Sequence, residues 1–497
     1  MPTWTDKLVQ EVLRSILEAY FEPQFCASSH GFRPHRGCHT ALTEIQRTWK
    51  GTRWYIEGDI AQYFDTINHD VLLRTLHERI HDGRFLRLIR ELLTAGYLDD
   101  WQHHHTLSGT PQGGVLSPLL SNIYLHQFDQ WVETVLIPAY TRGDRRKANP
   151  AYTEATSRIA QFRRMGQHAA ASTLTKERRA LPSNDTSDPD YRRLHYIRYA
   201  DDFLLGFAGP KAEAEAIKGE LKAWLQDNLS LSLSEEKTLI THATTELARF
   251  LGYDIANGHR DHHLKQKRRT INGVVTLRIP ATVVDAKCAR YMRDGKPIHR
   301  TELLKESDYA IIQQYQQEYR GVVQYYLLAH NVAWLNRLHW VMKGSLLKTL
   351  AAKHQLSVMQ ARRRYAVKIQ SQTGRYLAGL EVRVEREGKK PLIAQFGGIS
   401  LTRQPRAALN DQPFAYKGGH SELLRRLEAD TCELCGSQAH IEVHHIRKLA
   451  DLYKKGRKPP APWVVRMAKI KRKTLVVCRA CHRAIHAGRP TKRDASE

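Results

Sequence analysis

The sequence has no apolar run long enough to span a bilayer. Its longest uncharged stretches contain Gln, His, Asn, Gly or Pro, which excludes a helical membrane span. No secretory signal stands at Met1. Acidic residues are in short supply, 51 Asp+Glu against 77 Lys+Arg, for a formal net charge of +26. That deficit makes polyanions the expected partners, because each phosphate neutralised releases counterions; a basic ribosome-associated or membrane-surface protein has the same balance. Cysteine is scarce and odd in number. The seven are Cys26, Cys38, Cys288, Cys432, Cys435, Cys478 and Cys481, which argues against a disulfide framework and for metal binding in a reducing compartment. The first three read as buried small hydrophobes. No internal repeat is visible.

What is present suits a large folded chain. With 497 residues and 41% hydrophobic content, two to four domains with real cores are expected, not global disorder. Residues 5–20 carry Leu8, Val9, Val12, Leu13, Ile16, Leu17 and Tyr20 at helical spacing, predicting a core-facing helix. Trp54 to Ile60 reads as a strand, with a helix from about Asn68. Ser117 to Trp131 reads as a helix, Pro118 suiting its first turn. Residues 138–190 are charged and aperiodic, an insertion with room for a helix. Residues 194–207 read as two short strands around Tyr199-Ala-Asp-Asp202, residues 211–228 and 305–350 as helical, and 385–425 as a connector.

Tyr199-Ala-Asp-Asp202 puts two carboxylates at a tight turn, where like charges repel and a divalent cation relieves them, although Asp is also an ordinary turn residue. Upstream, Gly58-Asp-Ile-Ala-Gln-Tyr-Phe-Asp65 ends an apolar strand with Asp59, a costly place for an isolated charge unless it binds metal or meets solvent. A third carboxylate beside the pair would complete a two-metal site. His103-His104-His105 cannot converge on one ion from an extended chain and reads as loop or strand surface.

These motifs, in this order, resemble reverse transcriptases of the group II intron-encoded type. Asp59 lies in the likeness of motif A, Ser108-Gly-Thr-Pro-Gln-Gly-Gly-Val-Leu-Ser-Pro118 in that of motif B, and Tyr199-Ala-Asp-Asp202 in that of motif C. Ser234-Glu-Glu-Lys-Thr238 and Arg249-Phe-Leu-Gly-Tyr253 look like the two motifs that follow. Ser29-His-Gly-Phe-Arg-Pro-His-Arg-Gly37 resembles a finger motif of the intron branch. The resemblance implies catalytic, Mg²⁺-binding carboxylates at Asp59, Asp201 and Asp202. It implies an aromatic at Phe64 that excludes ribonucleotides, Gln112 near the nascent base pair, Lys237 beside the leaving pyrophosphate, and Arg33 and Arg36 as template or triphosphate contacts. A segment found before the first finger motif in this family is expected to be missing ahead of Met1.

Residues 316–338 combine helical period, aromatics and cations, and resemble the thumb, or maturase domain X. There Lys343, Lys348, Lys353, Arg362, Arg363 and Arg364 are candidate phosphate contacts. Cys432-Glu-Leu-Cys435 and Cys478-Arg-Ala-Cys481 are two knuckles suited to one structural Zn²⁺, which small domains need for lack of core. Val443-His-His-Ile446 and the i, i+4 pair His482 and His486 resemble an HNH nuclease motif. By that resemblance His445 is the general base, and His444, His482 and His486 bind a nuclease Mg²⁺ or Mn²⁺. The motif's central Asn is not evident; Lys473 and Thr474 stand near its place, and a knuckle that only binds DNA is the alternative. From Arg447 to Lys473 eleven Lys or Arg face one acid, Asp451, favouring a DNA-backbone contact.

The expected fold is α+β: a right-hand polymerase with fingers and a palm of antiparallel sheet, an α-helical thumb, and a small zinc-bound ββα HNH domain. The expected domains are 1–265 fingers and palm, 266–385 thumb or domain X, 386–425 linker or DNA-binding region, and 426–490 nuclease. The expected function is RNA-directed DNA polymerisation, intron-RNA binding for splicing, and nicking of target DNA for intron mobility. The alternatives are a splicing maturase without polymerase activity and another kind of cellular reverse transcriptase. Expected partners are intron RNA, target DNA, RNA template with DNA primer, and deoxynucleoside triphosphates, with no membrane and with a homodimer left open. The expected location is cytoplasmic, at a bacterial-type nucleoid.

Overall fold

The computed structural model describes residues 3–95, 97–99, 102–104, 109, 114–185, 188–258, 264–265, 268–269, 273–371, 374–386, 389–409, 426, 431–446, 461–470 and 474–489. It is a mixed structure of helices and antiparallel sheets in two compact units, residues 1–411 and 412–497. Gln112, Lys473 and most of the basic run before Lys473 lie outside the described residues. Among the described residues no helix is long and apolar enough to cross a membrane.

The first unit is organised by a four-stranded sheet in the order Leu194–Tyr199, Asp202–Phe207, Trp54–Gly58, Ile240–His242, every neighbour antiparallel. Ile56, Phe203, Leu205 and Tyr196 pack from it into a core shared with Leu120, Ile123, Tyr124 and Phe128 of the helix Ser117–Trp131. That helix carries Pro in its first turn, where no backbone donor is wasted. The helix His69–His77 starts at Asn68, whose side chain accepts from the Asp70 and Val71 amides, a cap worth about 1 kcal/mol.

The helix Trp4–Phe21 forms as its spacing predicts, but it buries only one stripe, Gln10, Leu13, Leu17 and Phe21. Leu8, Val12 and Ile16 are more than half exposed, so the expectation that the whole apolar face meets core is corrected. The insertion holds two helices rather than one, Pro150–Arg164 and His168–Ala180. The region from 385 expected as connector instead begins inside a three-stranded antiparallel sheet, Ala366–Gln370, Tyr376–Arg386 and Lys389–Phe396. The helix Asp308–Tyr325 packs on it through Tyr315 and Tyr319 against Phe396, and the helix Leu335–Lys353 through His339 stacked on the same ring.

In the second unit the strands Ile441–His445 and Thr474–Cys478 pair antiparallel, and the helix Arg479–His486 follows the second strand directly. Its core is small: Leu434, Val464, Met467, Leu475, Val477 and Ile485 beside Cys432, Cys478 and Cys481.

Candidate functional site

Strand register brings the acidic residues of the first unit together. Gly58 stands opposite Phe203, the last pair of that register, so Asp59 leaves its strand where Asp202 begins the neighbouring one, near enough for its charge to act on both Asp201 and Asp202. Across the hairpin Tyr199 pairs with Asp202, leaving Ala200 and Asp201 as a two-residue turn. Ala200 is left-handed, φ 57°, which costs a non-glycine residue on the order of 1–2 kcal/mol. Crowding by the surrounding protein, then repulsion from Asp201 and Asp59, pushes the Asp202 carboxyl up to about 6. Burial and then Asp59 also raise Asp201. Lys237 Nζ lies 3.1 Å from Asp59 Oδ2, and that contact raises the ammonium. Three crowded acids with one lysine as counter-charge are what a divalent cation would relieve, so these residues fit metal.

The strained turn is held from beneath. Arg198 and Asp129 form an ion pair with both side chains at 0% exposure, and Arg198 Nε and Nη2 donate to Asp129 at 2.7 and 2.6 Å. Arg198 also donates to the Ala200 carbonyl at 2.8 Å, to Asn122 Oδ1 at 3.2 Å and to Ser29 Oγ at 2.8 Å. Burial would discharge the guanidinium, but the Asp129 carboxylate overrides it and keeps Arg198 charged. Asp129 takes a further bond from the Tyr196 hydroxyl at 2.7 Å. From above, Gly31 presses on the same turn; a Cβ there would lie 2.3 Å from the Ala200 amide nitrogen. Sequence reasoning missed this network. The signal was present, since Arg198 is a charge within an apolar strand, the same argument that singled out Asp59.

The other expected residues fall at different distances from this centre. Phe64 is half-buried beside Tyr63, with ring centroids 5.2 Å apart, on the turn after Asp59. Gly109, at φ 86°, donates its amide to the Ile67 carbonyl at 2.8 Å and accepts from His69 Nε2 at 2.6 Å, setting the start of the glycine-rich segment against Phe64. Arg33 is buried and committed internally, donating to both Glu22 carboxylate oxygens and to the Cys26 and Ser29 carbonyls. Arg36, half-buried, donates to the Ala27 and Ser29 carbonyls. His103 and His104 lie on the short strand Gln102–His104.

The second unit holds two donor clusters. The Sγ atoms of Cys432, Cys435, Cys478 and Cys481 lie within 4.8 Å of one another. Cys435 and Cys478 are 3.7 Å apart, near the roughly 3.8 Å edge of a tetrahedron with 2.3 Å Zn–S bonds. Burial opposes ionisation of Cys432, but amides of Cys478, Cys435 and Leu434 outweigh it and bring the thiol down to about 7. The four thiols fit Zn²⁺.

Ring nitrogens of His444, His482 and His486 also lie within 4.8 Å of one another. Among the described residues both His444 nitrogens are buried without a partner, which leaves them open to an ion, and burial, then His482 and His486, holds the ring down at about 4. His482 Nδ1 bonds Glu442 at 2.7 Å, which orients the ring as an outer carboxylate does for a metal-binding histidine. His445, next on the strand, is turned to the other face by the pleat and is exposed opposite Thr474.

Three family models match the chain. The reverse transcriptase (RNA-dependent DNA polymerase) family matches residues 1–255, the type II intron maturase family 279–392, and the AI2M/AI1M-like HNH endonuclease family 432–482. The group II intron-encoded protein LtrA of Lactococcus lactis subsp. cremoris is 38% identical over 98% of this chain and 82% of its own. An uncharacterised 91 kDa protein in the cob intron of Schizosaccharomyces pombe is 32% identical over 98% of this chain and 60% of its own. Nuclear intron maturase 2 of Arabidopsis thaliana is 28% identical over 48% of this chain and 36% of its own. Telomerase from Candida albicans superposes with a TM-score of 0.31 at 11% identity over 72% of this chain and 53% of that one, too low to bear on the fold. The chain therefore belongs to the group II intron-encoded reverse transcriptases and maturases, with an HNH endonuclease domain. It is an enzyme, an RNA-directed DNA polymerase that carries a nuclease.

Proposed function

We propose that Asp59, Asp201 and Asp202 form the polymerase centre, on the observation that paired strands end with Asp59 close enough to Asp201 and Asp202 for the three charges to act on one another. Divalent ions bound there supply activation of the primer 3′-hydroxyl and stabilisation of the leaving group. The three carboxylates position the attack, Phe64 closes the floor against a 2′-hydroxyl, and Gln112 lines the nascent pair. Lys237, already on Asp59, stands ready to meet the leaving pyrophosphate. Arg33, committed to Glu22, shapes the finger loop, which leaves Arg36 as the nearer candidate for template or triphosphate.

In this reading residues 1–265 are fingers and palm of a right-hand polymerase, 266–385 thumb or domain X with its sheet running on to Phe396, the remainder of 386–425 a linker or DNA-binding region, and 426–490 the nuclease. The thumb region grips template–primer and intron RNA, and RNA binding promotes splicing. In the nuclease His444, His482 and His486 hold the metal, His445 takes the proton from water, and the four cysteines hold Zn²⁺. Nicking one strand of target DNA leaves a 3′-hydroxyl from which the polymerase copies the intron. A cytoplasmic, nucleoid-associated location follows from that substrate.

The test is deoxynucleotide incorporation on an RNA template with a DNA primer and Mg²⁺, comparing the protein with Asp201→Ala/Asp202→Ala. Activity lost in the variant supports the centre. Equal activity in both places the polymerase site elsewhere.

A further inference from the structure

Beside the helix Leu335–Lys353 lies a cavity of about 380 Å³, walled by Asn336, His339 and Lys343, by Ser371 and Arg375 at the hairpin end, and by residues 398–402. Among the described residues no acidic side chain lines it. Of the candidate thumb cations, Lys348 is spent on the Pro297 carbonyl, and Lys353 on the Glu306 carbonyl and Asp308. Among the described residues neither Lys343 nor Arg375 has a carboxylate within ion-pair reach. Burial, then Arg362, lowers the Lys343 ammonium, a group that gains by meeting an anion. Ser400 and Thr402 add hydroxyls at the mouth, 2.9 Å from each other. Trp340 is 65% exposed and shares a helical stripe with Asn336 and Lys343. An exposed indole beside a concave cationic site is the pairing that unpaired strands use, phosphate on the cations and base on the ring.

We infer that this cavity binds a backbone phosphate of a single-stranded nucleic acid, with Lys343 and Arg375 as its cations and Trp340 as the platform for the adjoining base. The inference deepens the nucleic-acid reading of the thumb region and rests on it. RNA and DNA strands share the phosphodiester, so both enter the test.

Fluorescein-labelled 12-nucleotide oligo(U) and oligo(dT) would be titrated by anisotropy against the full chain between about 50 and 200 mM KCl. Lys343→Glu/Arg375→Glu should raise Kd tenfold or more and flatten the salt slope by about 1.4, two contacts at roughly 0.7 each. Trp340→Ala should raise Kd about tenfold and Trp340→Phe should retain most of the affinity. Weakening for either oligomer supports the site and says which strand it takes. Unchanged Kd and slope for both overturns it. If charge reversal unfolds the protein in a melting scan, the Trp340 pair decides alone, since that ring is exposed. Primer extension by the unsubstituted protein reports separately on the polymerase reading.

Discussion

Removing one carboxylate tests how the Ala200–Asp201 turn is held. Asp129→Asn would leave the Arg198 guanidinium charged at 0% exposure with neutral acceptors alone, the new amide oxygen together with Asn122, Ala200 and Ser29. Breaking such a buried pair on one side costs about 3–5 kcal/mol, because a buried charge is left uncompensated. Replacing both partners, Arg198→Met with Asp129→Leu, should recover most of that stability, since apolar replacement of a buried pair is often neutral or better. It should not recover activity, because nothing then donates to the Ala200 carbonyl and the left-handed turn beside Asp201 is released. Asp129→Asn and the cycle of unsubstituted chain, Arg198→Met, Asp129→Leu and the double substitution would be compared by urea denaturation of the larger unit and by single-turnover primer extension. A loss under about 1 kcal/mol for Asp129→Asn, or full extension by the doubly substituted chain, would refute the reasoning.

Gly31→Ala should cut primer extension strongly and cost about 1–3 kcal/mol, because its Cβ would meet the Ala200 amide; wild-type extension would mean the two loops do not pack as described. Cys432→Ser should lower bound zinc by one equivalent and abolish DNA nicking while deoxynucleotide incorporation persists, as read by metal analysis and a plasmid-nicking assay. Burial alone would raise the Asp308 carboxyl, but hydrogen bonds from Lys353, Tyr365 and His354 overcome it and hold it at about 2. A carboxylate depressed below its unfolded value near 3.9 stabilises above that pH and loses the contribution as pH falls towards 2. Asp308→Asn should therefore cost about 2 kcal/mol at pH 6 and progressively less towards pH 2; a pH-independent cost by urea midpoints would contradict the assignment.

Much of the local structure was legible. The helix at Ser117–Trp131, the strand from Trp54 and the hairpin at Tyr199–Asp202 follow from period, proline placement and turn residues. The sheet over 366–396 was equally open to reading, since Leu380, Val382 and Val384 alternate with Glu381, Arg383 and Glu385, but charge obscured the pattern. The helix Trp4–Phe21 shows the limit of period: spacing set an apolar face, whereas its neighbours decided that only the Leu13–Leu17 stripe would be covered.

The chain alone determined which groups are candidates for chemistry: three aspartates at strand ends, two cysteine knuckles, and histidines at one-turn spacing. These are local matters of residue type and short spacing. Tertiary structure alone decided that the Asp59 charge acts on Asp202, that Arg198 spans Asp129 and the Ala200 carbonyl, and that Lys343 and Arg375 line one cavity. Each of these joins residues far apart in sequence, so it depends on which faces are buried and in what register strands pair, and no short-range pattern encodes that.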